Sequence, residues 1–125
     1  MVLRLVVAGI AKREIAQAAG AAGSDKVTVS VVSDMEGAKA VKQGNADYFI
    51  GSCASGQGGA LSIAIAILGY GNCCMLSTAG AAPKPEEVKK KVFSKDYKAY
   101  GINGEHAKVV IPPLVDALLT KHHLK

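Results

Sequence analysis

Short apolar runs alternate with segments of helical pattern along the whole chain. The first run, residues 2–8, is interrupted only by Arg4 and ends at Gly9. Continuous apolar runs of this length are typical of strands buried on both faces of a parallel sheet. A helix is predicted to follow over residues 11–22, where apolar residues recur on one side. This alternation predicts an α/β fold.

The same pattern continues to the C-terminus. Further strands are predicted over residues 26–32, 48–52, 73–77 and 98–102, with helices over residues 34–43, 60–68, 86–93 and from residue 107 onward. We therefore expect a three-layer, doubly wound, Rossmann-like parallel sheet of five strands in a single domain, with ligands beyond the carboxyl ends of the strands. Pro112 and Pro113 should kink or interrupt the last helix near Val110, and His122 and His123 should be frayed.

Composition narrows the class of partner. Half of the 125 residues are hydrophobic, only 5% are aromatic, and there is no Trp. Few rings are therefore available for stacking nucleic-acid bases. The formal net charge is +5, and the lysines of residues 84–98 are interpreted as a solvated helix face. We expect a small anionic metabolite as partner and no nucleic acid.

Cysteine usage and hydropathy indicate a reduced, cytoplasmic setting without a membrane partner. Cys73 and Cys74 are adjacent on a predicted strand and would point to opposite faces, so they could not easily pair. The longest apolar run, residues 63–68, is far too short to cross a bilayer. No spacing of Cys and His resembles a zinc site, and no metal or other cofactor is expected.

The segment over residues 48–67 carries the most chemistry. A predicted strand ends in Cys53, a glycine-rich turn follows, and a helix begins at about Ala60. This arrangement can bind an anion, because the turn exposes backbone N–H groups and the helix N-terminus adds partial positive charge. The expected ligand-binding residues of the turn are Gly56, Gln57, Gly58 and Gly59. The alternative is a tight turn that only permits close packing.

Cys53 and Ser55 stand on the rim of this turn and are candidate catalytic residues. A thiol facing a helix N-terminus would have a lowered pKa and could act as a base or nucleophile. The alternative for Cys53 is a small buried hydrophobic residue.

Two further pairs follow predicted strands. Glu105 and His106 could supply acid–base chemistry; the alternative is that Glu105 caps the last helix and His106 is exposed. Asp34 and Glu36 could bind ligand hydroxyls; the alternative, which we favour, is a capping box between Ser33 and Glu36.

The third predicted helix is apolar nearly all round, over Ala60-Leu-Ser-Ile-Ala-Ile-Ala-Ile-Leu68. A helix that packs on one sheet buries only one face. We therefore expect the other face to meet a second subunit, which predicts a homo-oligomer.

Several segments together resemble a known family. Ser33-Asp-Met-Glu36, residues 42–51, the core over residues 53–70, and Gly101 with Glu105-His106 are similar to the YhfU-like bacterial proteins. The resemblance covers nearly the whole chain. It implies a bacterial, cytoplasmic protein and brings no established activity.

The glycine segment also resembles the type B ribose-5-phosphate isomerases. Their strand ends in Cys-Gly-Thr-Gly-x-Gly before a Ser-Ile-Ala helix, and Cys53-Ala-Ser-Gly56-Gln-Gly58 and Ser62-Ile-Ala64 match in order. The resemblance implies that Cys53 is the base that moves a proton between sugar carbons, with Ser55 as a substrate contact. Ala54 stands where that family has glycine, and Gly9-Ile-Ala-Lys12 occupies the place of its Asp-His pair.

Two functions follow. The first is an isomerase-like enzyme that acts on a phosphorylated or carboxylated sugar-type metabolite through Cys53 and the glycine-rich loop. The second is a non-catalytic ligand-binding or regulatory subunit with the same pocket.

Overall fold

In residues 1–54 and 59–125, which a computed structural model describes, five strands and five α-helices alternate. They are β1 (Leu3–Gly9), α1 (Lys12–Gly23), β2 (Val27–Val31), α2 (Asp34–Lys42), β3 (Tyr48–Cys53), α3 (Ser62–Leu68), β4 (Cys73–Met75), α4 (Pro85–Ser94), β5 (Ala99–Asn103) and α5 (Ala107–Lys121). The predicted elements are all present, with boundaries shifted by a few residues.

All strand pairs are parallel, and the strand order is β2-β1-β3-β5-β4. Helices α1, α4 and α5 pack together on one face, and α2 packs with α3 on the other. The predicted three-layer, doubly wound fold is therefore confirmed. The order also makes β2 and β4 the two edge strands.

The central strands are apolar on both sides because both faces are covered. In β1, Leu5 and Val7 belong to the cluster under α1 and α5, whereas Val6 and Ala8 belong to the cluster under α2 and α3. Successive side chains of a strand point to opposite faces. That geometry explains why the first apolar run shows no polar alternation.

Helix α5 continues through its two prolines, contrary to the interruption expected near Val110. Pro112 and Pro113 lack the N–H groups that would bond to the carbonyls of Lys108 and Val109. Both of these residues are exposed, so water can satisfy the two carbonyls. No helix in the described part of the chain, α5 included, is long and apolar enough to cross a membrane.

The end of α5 is anchored to the sheet, so the expectation of a frayed His122 is wrong. The His122 Nε2 atom lies 2.7 Å from the Tyr48 hydroxyl at the start of β3. The Lys121 ammonium donates hydrogen bonds to the carbonyls of Val92 and Lys95, each at 3.0 Å. The first bond holds the end of α5 at the amino edge of the sheet, and the other two hold it to the C-terminal end of α4.

Candidate functional site

A crevice opens at the carboxyl edge of the sheet, between the loops that follow β1, β3 and β5. The chain after β3 crosses to the face of α3, whereas the chains after β1 and β5 cross to the face of α1 and α5. Such a reversal is where doubly wound sheets bind ligands. A cavity of about 330 Å³ lies here, and its described lining residues are Ile10, Ala11, Glu14, Ala54, Gly104 and Glu105.

The wall between β1 and β3 is built by buried Ser52. Its hydroxyl accepts the Ala11 N–H at 2.9 Å and donates to the Ala8 carbonyl at 3.1 Å. The Ser52 carbonyl accepts the Ile10 N–H at 3.3 Å. Gly9 has φ +99°, and a Cβ there would lie 2.0 Å from the Ser52 carbonyl oxygen. A glycine is therefore required where the chain leaves β1.

Cys53 is the last residue of β3 and precedes Ala54 in the chain, but it is not itself among the described residues that line the cavity. It is half-buried and pairs in register with Asn103 at the end of β5. A Cβ built on Gly59 would lie 3.7 Å from the Cys53 Cβ and 3.8 Å from its Sγ, so the chain returns past the thiol before α3. Helix α3 begins at Ser62, two residues later than the expected start at Ala60.

The predicted anion-binding turn falls mostly outside the described residues. The structure does not describe four of its residues, so the roles predicted for them remain predictions: Ser55, Gly56, Gln57 and Gly58. Only Gly59 is described, beside Cys53.

Glu105 and His106 differ sharply in exposure. The side-chain oxygen of Asn103 accepts the Glu105 N–H at 3.0 Å and starts the short turn Gly104–His106. Glu105 is exposed and lines the cavity, whereas His106 is only 6% exposed. The alternative interpretation, capping by Glu105 with an exposed His106, is therefore wrong.

The His106 ring is directed to the loop between β4 and α4. Its Nε2 lies 2.9 Å from the Gly80 carbonyl oxygen, which can only accept, so Nε2 carries the proton. The buried Nδ1 has no hydrogen-bond partner among residues 1–54 and 59–125. This side chain therefore links the turn of Glu105 to the neighbouring loop.

Asp34 and Glu36 begin α2, after β2. The Glu36 carboxylate accepts the Ser33 N–H and the Ser33 hydroxyl accepts the Glu36 N–H, both at 3.2 Å. This is the capping box that we favoured, and the hydrogen bonds to Ser33 lower the pKa of Glu36. Burial raises the pKa of half-buried Asp34, and its buried Oδ1 has no partner among the described residues.

Glu14 is a lining residue that sequence reasoning missed. It lies in the first turn of α1, and nothing in the helical pattern distinguishes it from an ordinary exposed residue. Together with Glu105 it places two carboxylates on the described wall, which suits hydroxyl donors on a ligand. Among the described residues, no three His, Cys, Asp or Glu side chains form a group that could hold a metal.

The fold and the crevice define a small doubly wound α/β protein with a ligand-sized cleft at its strand-order reversal. Residues 3–118 match the family described as "Protein of unknown function DUF2620". The uncharacterised YhfU proteins of Escherichia coli K12 and Shigella flexneri are each 36% identical over 115 residues, which is 92% of this chain and 97% of theirs. The chain belongs to this bacterial family, as the sequence resemblance indicated.

Two solved structures share the fold. The type B ribose 5-phosphate isomerase of Trypanosoma cruzi superposes with a TM-score of 0.69 at 12% identity, covering 94% of this chain and 84% of that one. Ribose-5-phosphate isomerase B of Giardia lamblia gives 0.62 at 17% identity, covering 98% and 96%. The chain therefore has the fold of these isomerases.

Proposed function

We propose that this protein is an isomerase-like enzyme that acts on a small phosphorylated or carboxylated sugar-type metabolite. One observation supports this most: the register of β3 against β5 sets Cys53 beside Asn103, with Glu105 two residues further on. Cys53 and the carboxylate of Glu105 therefore follow neighbouring strands at the same edge of the sheet, and Ala54, next to Cys53 in the chain, lines the cavity with Glu105. The shared fold with sugar-phosphate isomerases is compatible with this role.

In the proposed reaction Cys53 acts as the base. Its thiolate removes a proton from the carbon next to the carbonyl and returns it to the neighbouring carbon, so no net proton is consumed. The exposed Glu105 carboxylate moves the second proton between the two sugar oxygens. Ser55 contacts the substrate, and the backbone N–H groups of residues 56–59 bind its anionic group.

Three further residues are proposed to position the catalytic groups or to contact the ligand. His106 positions the turn of Glu105 through its hydrogen bond to the Gly80 carbonyl. Asp34 lies outside the described lining of the cavity, and we propose it as a more distant contact for a ligand hydroxyl because its buried Oδ1 has no partner among the described residues. Glu36 is held in the capping box with Ser33, so it can contact a ligand only after that box opens.

The enzyme proposal is tested by thiol chemistry combined with proton exchange. Burial raises the pKa of Cys73 and of Cys74, so both should react slowly with iodoacetamide. Cys53 should react at least about ten-fold faster than either at neutral pH. In D₂O, the protein should replace a carbon-bound hydrogen of an aldose or ketose phosphate with deuterium. Cys53→Ala should abolish this exchange while the variant still binds the sugar phosphate.

The second candidate is a non-catalytic binding subunit. It is favoured by Ile10 and Ala11, which line the cavity with apolar side chains close to where the isomerases place an Asp-His pair. Binding of a sugar phosphate without any C–H exchange, together with a Cys53 no more reactive than Cys73, would establish this alternative and reject the enzyme.

We also propose a cytoplasmic homo-oligomer in which the outward face of α3 meets a second copy. Ile63 remains half-buried on that face, beside exposed Ser62 and Ala66, whereas Ile67 packs against the core cluster under α2 and α3. Covering Ile63 and its neighbours would bury apolar surface that the single chain leaves in water.

A further inference from the structure

A groove runs along the outer edge of the sheet, on the side of β4 away from the crevice. It has a volume of about 380 Å³. Leu61 and Ile65 give it an apolar lining, and Tyr70 and Tyr97 also line it. Tyr70 is 80% exposed. The proposed isomerase chemistry uses none of these residues.

The backbone of β4 presents hydrogen-bonding groups to this groove. Among the described residues, strand β4 pairs with β5 alone, and the Asn72 carbonyl and Leu76 N–H bond to the β5 side. Because backbone groups alternate along a strand, those of Cys73 and Met75 point away from the sheet. The edge is therefore open to a further strand.

Cys73 and Met75 together present four outward groups, one N–H and one C=O each. Two of these four already form hydrogen bonds within the chain. The Cys73 N–H donates to the Tyr70 carbonyl, and the Lys91 ammonium donates to the Met75 carbonyl at 3.2 Å. In the described part of the chain this leaves the Cys73 carbonyl and the Met75 N–H. One residue of an added strand parallel to β4 could bond to both.

The charge around the groove is positive. Lys95 lies 5.6 Å from the centre of the Tyr97 ring, and its ammonium is 3.4 Å from where a Cβ on Gly71 would stand. Lys91 reaches the strand edge from α4. Within residues 1–54 and 59–125, the ion pairs involve Arg4, Lys89, Lys121 and Lys125, so neither Lys91 nor Lys95 is paired with a carboxylate.

We propose that this groove binds an extended acidic segment of a partner protein, which adds to β4 as a strand. Its N–H and C=O groups bond to Cys73 and Met75, alternate apolar side chains enter the groove, and its carboxylates meet Lys91 and Lys95. A second copy fits less well, since a two-fold contact would set these lysines against their own counterparts. The groove thus gives a role to the lysine-rich segment around α4.

The test uses a synthetic seven-residue peptide of alternating acidic and valine residues, Asp-Val-Glu-Val-Asp-Val-Glu, with blocked ends. The expected result is saturable shifts of backbone amide NMR signals over residues 70–76 and slower hydrogen exchange at the Met75 N–H. The double variant Lys91→Gln, Lys95→Gln should weaken binding about five-fold, as loss of two exposed ion pairs predicts. Lys39→Gln, an exposed lysine on α2, should leave binding unchanged.

Three outcomes would overturn the proposal. A peptide with lysine in place of every acidic residue could bind equally well, which would remove the charge argument. The acidic peptide could perturb no signal of residues 70–76. The same signals could instead shift with protein concentration alone, which would make a second copy the occupant. Amide spectra of the free variants show whether each is folded before any titration.

Discussion

At the scale of single residues, the crevice depends on polar groups that have buried partners. Ser52 ties β1 to β3, and Asn103 starts the turn that presents Glu105. Both side chains are almost fully buried and satisfied by backbone groups, which is the condition for polar burial without a large cost. The turn that presents Glu105 and the junction of β1 with β3 are thus both fixed by buried, satisfied polar groups.

Gly9 should be the least replaceable residue of that junction. A Cβ there would meet the Ser52 carbonyl oxygen at 2.0 Å, whereas one on Gly44, also at positive φ, would meet no atom within 4 Å. We expect Gly44→Ala to cost about 1 kcal/mol through its backbone conformation alone. Gly9→Ala should cost about 3 kcal/mol more, because packed backbone must move. Urea unfolding measures both, and equal losses would contradict this account.

Several residues could be placed from sequence and others could not. Cys53 and Glu105 were found because both follow strand-like runs, and parallel strands end at one edge of a sheet. The burial of His106 could not be predicted, since its partner is the Gly80 carbonyl, 26 residues away. Glu14 was missed for a similar reason, because only the packing of α1 against α5 sets it in the cavity wall.

At the scale of elements, the sequence pattern determines the strands and helices but leaves their order open. Residues 2–8 lack polar alternation because both faces of β1 are covered, and the Ser33–Glu36 box marks the start of α2. The order β2-β1-β3-β5-β4 depends on which crossovers pack best, and no local signal encodes it. The continuity of α5 could not be predicted locally either, because the helix tolerates Pro112 and Pro113 only where the unpaired carbonyls are exposed to water.

The junction of β1 with β3 should make stability pH-dependent. Partial burial alone would raise the pKa of Asp47, but its hydrogen bonds to Arg4 and the charge of Arg4 lower it overall. A lowered carboxyl pKa stabilises the fold above the unfolded-state pKa of about 3.9, and this contribution is lost as the pH falls through the folded pKa. Asp47→Asn should therefore cost about 1 to 2 kcal/mol at pH 7.

The difference between Asp47→Asn and the unmodified chain should shrink on acidification below about pH 4. Thermal unfolding at several pH values measures it. Asp25→Asn, at an exposed position in a turn, serves as the control and should have little effect at any pH. A loss for Asp47→Asn that stays constant down to pH 3 would show that shape rather than charge is responsible.

At the scale of the whole molecule, the two faces of the sheet are unequally covered. In the part of the chain that the structure describes, three helices lie on one side, and α2 and the seven-residue α3 lie on the other. The thinner layer leaves Ile63 half-buried on the outside of α3. This asymmetry is the structural basis for the proposed contact between copies.

That contact predicts a clear effect on assembly. Ile63→Lys would place a charge in an apolar interface, and we expect it to weaken self-association at least about 100-fold. Phe93→Lys, which changes an exposed apolar residue on α4, should leave association unchanged. Sedimentation velocity at micromolar concentration measures both. A monomeric unmodified chain, or equal loss in the two variants, would exclude α3 as the interface.

The anchoring of α5 at the amino edge also determines where the protein can be joined to a surface or a fusion partner. Strand β1 begins at this edge, and α5 returns to it, where His122 meets Tyr48. Residues 1 and 125 therefore both lie away from the crevice at the carboxyl edge. A tether or fusion partner joined at either position would leave the crevice facing solvent, so immobilised protein should remain fully accessible to small ligands.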